Sequence, residues 1–273
     1  MPTPVVSVHP ITVGQHDRGV RVSAPVDGAN LPVVVFSHGF GQSARSYEPL
    51  AGFWAAHGFV VVQPTHPDSR TLGRPLTPDV WRVRVDDLRQ AIDSLEALEA
   101  AVPGLRGRVD HRNIAVAGHS WGAQTASELL GARTPDGEDL RDARVSRGVL
   151  LAITGRGGAD LTPFAAEHFP FMSPSFDEMK APALIVAGDA DQSQLSTRGP
   201  DWFTDAYHLS PGDKTLLTVF GGEHSLGGIS GYESAETTDE NPARVALIQR
   251  VTTAFLRGEP LESDASLGGL DRK

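Results

Sequence analysis

Short runs of β-branched residues alternate along the chain with stretches in which apolar positions recur near every third or fourth residue. Residues 32–37 (PVVVFS) and 59–63 (FVVVQ) are apolar without alternation, the pattern of strands covered on both faces. Between them residues 47–57 carry Leu50, Phe53 and Trp54 at helical spacing and stop at Gly58. Residues 5–8 and 19–23 read as short strands near the start. From residue 78 to about 101, Val80, Val83, Leu88, Ile92, Leu95 and Leu98 recur near 3.6 with charges between them, which predicts one long amphipathic helix ending before Pro103-Gly104. Residues 113–117 (NIAVA), 148–153, 183–187 (ALIVA) and 215–220 then read as strands, 121–131 as a helix and 242–256 as the closing helix. Strand alternating with helix predicts an α/β fold, a mostly parallel central sheet with helices on both faces. One domain is expected over residues 1–257, with a small cap from the Phe- and Pro-rich region 155–180 as an option, and residues 258–273 are expected to form a flexible tail.

Composition narrows this picture. The 273 residues suffice for a single full core, and 40% hydrophobic with 21% charged residues is an ordinary globular mix. A formal net charge of -10 and a pI near 5.4 leave no basic footprint for nucleic acid. There are no cysteines, which removes disulfides, thiolate metal sites and a cysteine nucleophile together. No run approaches the ~20 apolar residues of a membrane span, and the start MPTPVVSVHPITV lacks a basic segment followed by an apolar one. A soluble, cytoplasmic protein is the expectation, with a trimmed secreted form as the alternative.

In a parallel sheet ligands bind beyond the carboxyl ends of the strands, so the turns there are where chemistry is sought. Gly118-His119-Ser120-Trp121-Gly122 directly follows the strand NIAVA and precedes a helix, the context in which G-x-S-x-G forms a sharp turn that presents a serine nucleophile. Ser120 needs a base, and His224, after the strand 215–220 and before the last helix, stands where the chain order Ser, acid, His expects it. His57, His111 and His208 read as surface or helix-end residues, and His119 as the variable position of the turn. The acid belongs in the turn Gly188-Asp189-Ala190-Asp191-Gln192, which offers two carboxylates; Asp191 is preferred, and Asp189 stays open either as a turn cap or as the acid itself. Backbone donors for an oxyanion are expected at Trp121 and at Phe40, in the loop Ser37-His38-Gly39-Phe40-Gly41 after the strand 32–37. No cofactor loop or metal site is expected: Gly155-Arg156-Gly157-Gly158 is a poor phosphate loop, and the acidic stretch 233–240 lacks calcium-loop spacing. Phe-rich residues 161–179 read either as an apolar cap or as packing at the sheet edge, and Trp202, Phe203 and Tyr207 as an aromatic wall or a buried helix face.

From residue 32 to 257 the chain resembles the α/β-hydrolase superfamily. The stretch VVVFSHGFGQSARSYEPLAGFWAAHGFVVVQPTHPDS followed by NIAVAGHSWGAQTA is similar to the branch of platelet-activating-factor acetylhydrolases, chlorophyllases and serine dienelactone-hydrolase-like esterases. The resemblance implies an α/β-hydrolase fold, hydrolysis of a small-molecule carboxylic ester through an acyl-enzyme, no cofactor, and Asp191 as the acid. Dienelactone hydrolases proper carry cysteine where this chain has Ser120, and haloalkane dehalogenases and epoxide hydrolases carry aspartate, which points away from those activities. The competing expectations are acyl transfer, thioester or peptide cleavage with the same Ser120, Asp191 and His224, or a hydrolase-like binding protein without turnover.

Overall fold

The computed structural model describes residues 2–14, 16–134, 136–232 and 239–273. Its centre is one sheet of nine strands: β1 (Val5–Val13), β2 (His16–Pro25), β3 (Leu31–Ser37), β4 (Val60–Pro64), β5 (Val109–His119), β6 (Val145–Leu151), β7 (Ala183–Gly188), β8 (Lys214–Val219) and β9 (Gly268–Arg272). They lie in the order β1-β2-β4-β3-β5-β6-β7-β8-β9. From β4 through β8 every pairing is parallel, and antiparallel pairing is confined to β1–β2, β2–β4 and β8–β9 at the two edges.

Successive side chains of a strand point to opposite faces, so a strand buried at every residue is covered on both. β4 (VVVQP) and β7 (ALIVAG) are of this kind. The cover comes from α1 (Glu48–Ala56), packed on α7 (Pro242–Arg257), and from α2 (Val80–Asp93), packed on α4 (Trp121–Leu130). The remaining helices, α3 (Leu95–Ala101), α5 (Pro163–His168) and α6 (Asp205–Leu209), are short.

Two elements differ from the sequence expectation. The long helix expected over residues 78–101 is two helices, because Ser94 leaves helical geometry at φ -98°, ψ 9° and caps both the end of α2 and the start of α3. Ile92, Leu95 and Leu98 stay buried across the break, so the apolar period continued where the backbone did not. The expected tail contains β9, whose residues 268–272 pair with residues 215–219 of β8, after the Phe220 amide donates to the Leu267 carbonyl at 2.8 Å. The segment GGLDR carries no β-branched run, and its pairing is decided by the open edge of β8. Among the described residues, no helix is long and apolar enough to cross a membrane.

Chain order places the site. From β3 the chain adds β4 on one side and then returns to add β5 on the other, so the loops after β3 and β5 diverge and leave a crevice at their carboxyl ends.

Candidate active site

The turn from β5 into α4 is built around Ser120, which holds φ 56° and ψ -124°, a conformation that side-chain-bearing residues rarely adopt. Flanking glycines make the turn sterically feasible. A Cβ on Gly122 would lie 2.0 Å from the Ser37 carbonyl oxygen, and one on Gly118 would lie 2.2 Å from the Gly122 carbonyl oxygen. The serine thus sits, partly exposed, at the N-terminus of α4 beside a cleft of about 160 Å³ that Phe40, Arg70, His119 and His224 also line.

Inside that cleft three sequence candidates meet. The Ser120 Oγ lies 2.9 Å from His224 Nε2, and His224 Nδ1 lies 3.0 Å from Asp191 Oδ2. A carboxylate only accepts, so Nδ1 carries the proton and Nε2 is the acceptor for the serine hydroxyl. Asp191 is fully buried, and its Oδ1 has no hydrogen-bond partner among the described residues. Asp189 is turned the other way, its Oδ1 accepting from the Gly221 amide at 2.6 Å. Phe203 packs its ring 5.7 Å from that of His224 and is buried with Trp202, whose indole N–H is bound to the Arg156 carbonyl; neither lines the cleft.

A second Ser–His–Asp sequence lies beneath the first. Ser37 Oγ donates to His66 Nε2 at 2.9 Å, and His66 Nδ1 donates to Asp87 Oδ2 at 2.8 Å. This is triad-like geometry within the same fold, consistent with a serine-hydrolase mechanism, but Ser37 and His66 are wholly excluded from solvent and Asp87 is 3% exposed. Burial pushes the Asp87 carboxyl up to about 7 against the pull of the Arg18 guanidinium, which is ion-paired with it. Ser37 therefore presents no surface to a substrate carbonyl.

The loop after β3 is held from below by this buried layer. His38 Nε2 accepts from the His66 amide at 2.9 Å while its Nδ1 donates to the Gly39 carbonyl at 2.7 Å, an arrangement open only to a neutral imidazole. Burial and then the Arg84 charge lower its pKa to about 4. His119, the variable position of the serine turn, is a strut. Its Nε2 donates to the His224 carbonyl at 2.8 Å, its Nδ1 accepts from the Tyr47 hydroxyl at 2.9 Å, and that hydroxyl accepts from the Gly39 amide at 3.0 Å. The histidine loop, the serine turn and the β3 loop are thereby joined in one line. Burial, with the nearby His224, holds His119 down to about 3, so it is neutral at working pH.

Phe40, 42% exposed, faces the Trp121 ring at 5.8 Å and the Phe169 ring at 6.5 Å; Phe171 stacks on Trp121 at 5.1 Å. The region 161–179 is thus divided, with Ala165, Phe176 and Met179 in the core and Phe169 and Phe171 in this aromatic wall. Among the described residues no cluster of three or more His, Asp or Glu side chains could hold a metal ion. Of the acidic stretch 233–240, residues 233–238 lie outside the described residues, and Asp239 accepts from the Gly227 amide and pairs with Arg244.

A family model described as the alpha/beta hydrolase family matches residues 34–223, about two thirds of the chain, a span that contains Ser120 and Asp191 and ends one residue before His224. The chain belongs to the alpha/beta hydrolase family. The chain is 29% identical to chlorophyllase-1 of Arabidopsis thaliana over 208 residues, which cover 74% of the chain and 57% of that protein. It is 26% identical to the platelet-activating factor acetylhydrolase of Bos taurus over 144 residues, covering 38% of the chain and 32% of that protein. The chain therefore spans just over half the length of the first relative and about a third of the second.

Proposed function

We propose that this hydrolase cleaves small-molecule carboxylic esters through an acyl-enzyme, with Ser120 as nucleophile, His224 as base and Asp191 as the group that orients it. The observation that carries the reading is the unbroken line from Ser120 Oγ to His224 Nε2 and from His224 Nδ1 to Asp191 Oδ2, at 2.9 and 3.0 Å, opening on a cleft. Ser120 Oγ attacks the ester carbonyl as its proton passes to His224 Nε2, and Asp191 stabilises the imidazolium. The amides of Phe40 and Trp121 donate to the developing oxyanion; Trp121 opens α4, where a helix leaves its first amides without internal partners. His224 returns the proton to the departing alcohol. Water, deprotonated by His224 in turn, releases the carboxylic acid and restores Ser120.

Phe40, which lines the cleft and is 42% exposed, with the half-buried Phe169 ring 6.5 Å from it, supports an apolar acyl or alcohol part in the substrate. The cytoplasmic setting expected from the sequence belongs to the same proposal, and fractionation of cells making the protein tests it.

The test is hydrolysis of p-nitrophenyl esters of increasing acyl length by the wild type and by Ser120→Ala. The reading expects turnover in the wild type, a fall of about 10³-fold or more in the variant, and a preference for acyl chains long enough to reach the aromatic wall. A folded wild type that is silent across the series would contradict it.

A further inference from the structure

Arg84, near the start of α2, is 0% exposed, and its guanidinium reaches, directly or through Asp68 and Thr125, the two segments that the proposed mechanism uses as oxyanion donors. Towards the β3 loop, Nη2 donates to the His38 carbonyl and, at 3.3 Å, to Ser37 Oγ. Nη1 binds Asp68 Oδ1 at 2.6 Å, and the other oxygen of Asp68 accepts from the Gly41 amide at 3.1 Å. Towards α4, Nε donates to Thr125 Oγ1 at 3.2 Å, Thr125 Oγ1 in turn donates to the Trp121 carbonyl at 3.0 Å, and the guanidinium lies over the Trp121 ring at 4.6 Å. Phe40 stands between His38 and Gly41; Trp121 follows Ser120. One planar cation thus holds the His38 carbonyl and the Trp121 ring directly, and the Gly41 amide and the Trp121 carbonyl through Asp68 and Thr125.

We infer that Arg84 is a positioning residue for the oxyanion hole, fixing the separation of the Phe40 and Trp121 amides by bridging the β3 loop to α4. This rests on the ester-hydrolase reading above. A guanidinium suits the task because its donors lie in a rigid plane and address several acceptors at fixed angles, whereas an ammonium has a single nitrogen and no fork. The Ser37–His66–Asp87 layer belongs to the same support, since Ser37 Oγ receives Arg84 on one side and donates to His66 on the other.

The experiment compares wild type, Arg84→Lys, Asp68→Asn and Thr125→Val in steady-state ester hydrolysis. Active sites are counted by the p-nitrophenol burst, and each protein is also titrated with an alkyl boronic acid, whose adduct on the nucleophile presents an oxygen to the hole. Arg84→Lys keeps a buried charge but not the fork, and should lower kcat per active site by about 100-fold with KM within about threefold, the range seen when one oxyanion donor is lost. Asp68→Asn and Thr125→Val each loosen one end only and should lower kcat about tenfold. Boronate affinity should fall in proportion to kcat across the series, which a loss of folded protein alone would not produce. Should Arg84→Lys not fold, Asp68→Asn and Thr125→Val decide by the same two readouts. Folded variants with kcat and boronate affinity within threefold of wild type overturn the inference while leaving the ester-hydrolase reading standing. A wild type without turnover, or turnover surviving in Ser120→Ala, removes that reading instead.

Discussion

At the scale of single residues the site depends on which carboxylate and which serine are where. Asp191 is buried and faces His224 Nδ1, while Asp189 spends its oxygen on the Gly221 amide, so the two acids two positions apart have unlike tasks. Asp191→Ala should lower kcat by about 10³- to 10⁴-fold, and Asp189→Ala by no more than about threefold; the opposite ranking in ester kinetics would reassign the acid. Ser120, Asp191 and His224, the proposed triad, could be singled out in the sequence because each follows a recognisable strand in a fixed order, and their side chains meet in one hydrogen-bonded line. The buried support was not, because Arg84, Asp68, His66 and Asp87 are ordinary polar residues whose burial is decided only when α2 packs under the β3 loop. Glu128 on α4 is another such residue. Burial raises its carboxyl to about 8, against a weak pull from the Gln124 amide. The folded protein keeps this proton up to about pH 8 while the unfolded chain gives it up above 4.5, so wild-type stability should fall as pH rises between those values. Glu128→Gln abolishes that dependence. Its unfolding free energy from urea titration, relative to wild type, should therefore climb from pH 5 to pH 8, by up to about 1.4 kcal/mol per pH unit; an offset constant with pH would show that Glu128 is not held protonated.

At the scale of elements, the apolar runs located the inner strands β3, β4, β5, β7 and β8, since strands buried on both faces have little room for polar residues. Where the reading differed, a longer-range interaction decided. Ser94 divides α2 from α3 without disturbing the apolar period that had suggested one helix. β9 forms from a Gly-rich segment because β8 would otherwise present an unpaired edge. Ending the chain after Leu267 removes the β8–β9 ladder of five paired positions and leaves that edge open. The shortened protein should melt about 5 °C lower, a loss on the order of 2 kcal/mol for a chain this size, and should aggregate sooner on heating. An unchanged Tm would mean that these residues contribute no pairing in solution.

At the scale of the whole molecule, two Ser–His–Asp sequences occupy one end of the sheet, and what separates them is access. Ser37, His66 and Asp87 lie under the β3 loop out of reach of solvent, while the His224 side chain is 33% exposed and Ser120 opens on the cleft beside the aromatic wall. The chain order of β3, β4 and β5 creates that crevice; the strand and helix alternation pointed to the carboxyl ends of a parallel sheet, but the strand order that opens the crevice is set by the packing of the sheet. The most direct test of the account is to treat the protein with a fluorophosphonate, which phosphonylates activated serines, and to locate the adduct by peptide mass spectrometry. The account predicts one adduct, on Ser120, formed in step with loss of ester turnover and absent from Ser120→Ala. An adduct on Ser37, or labelling that persists in Ser120→Ala, would contradict it.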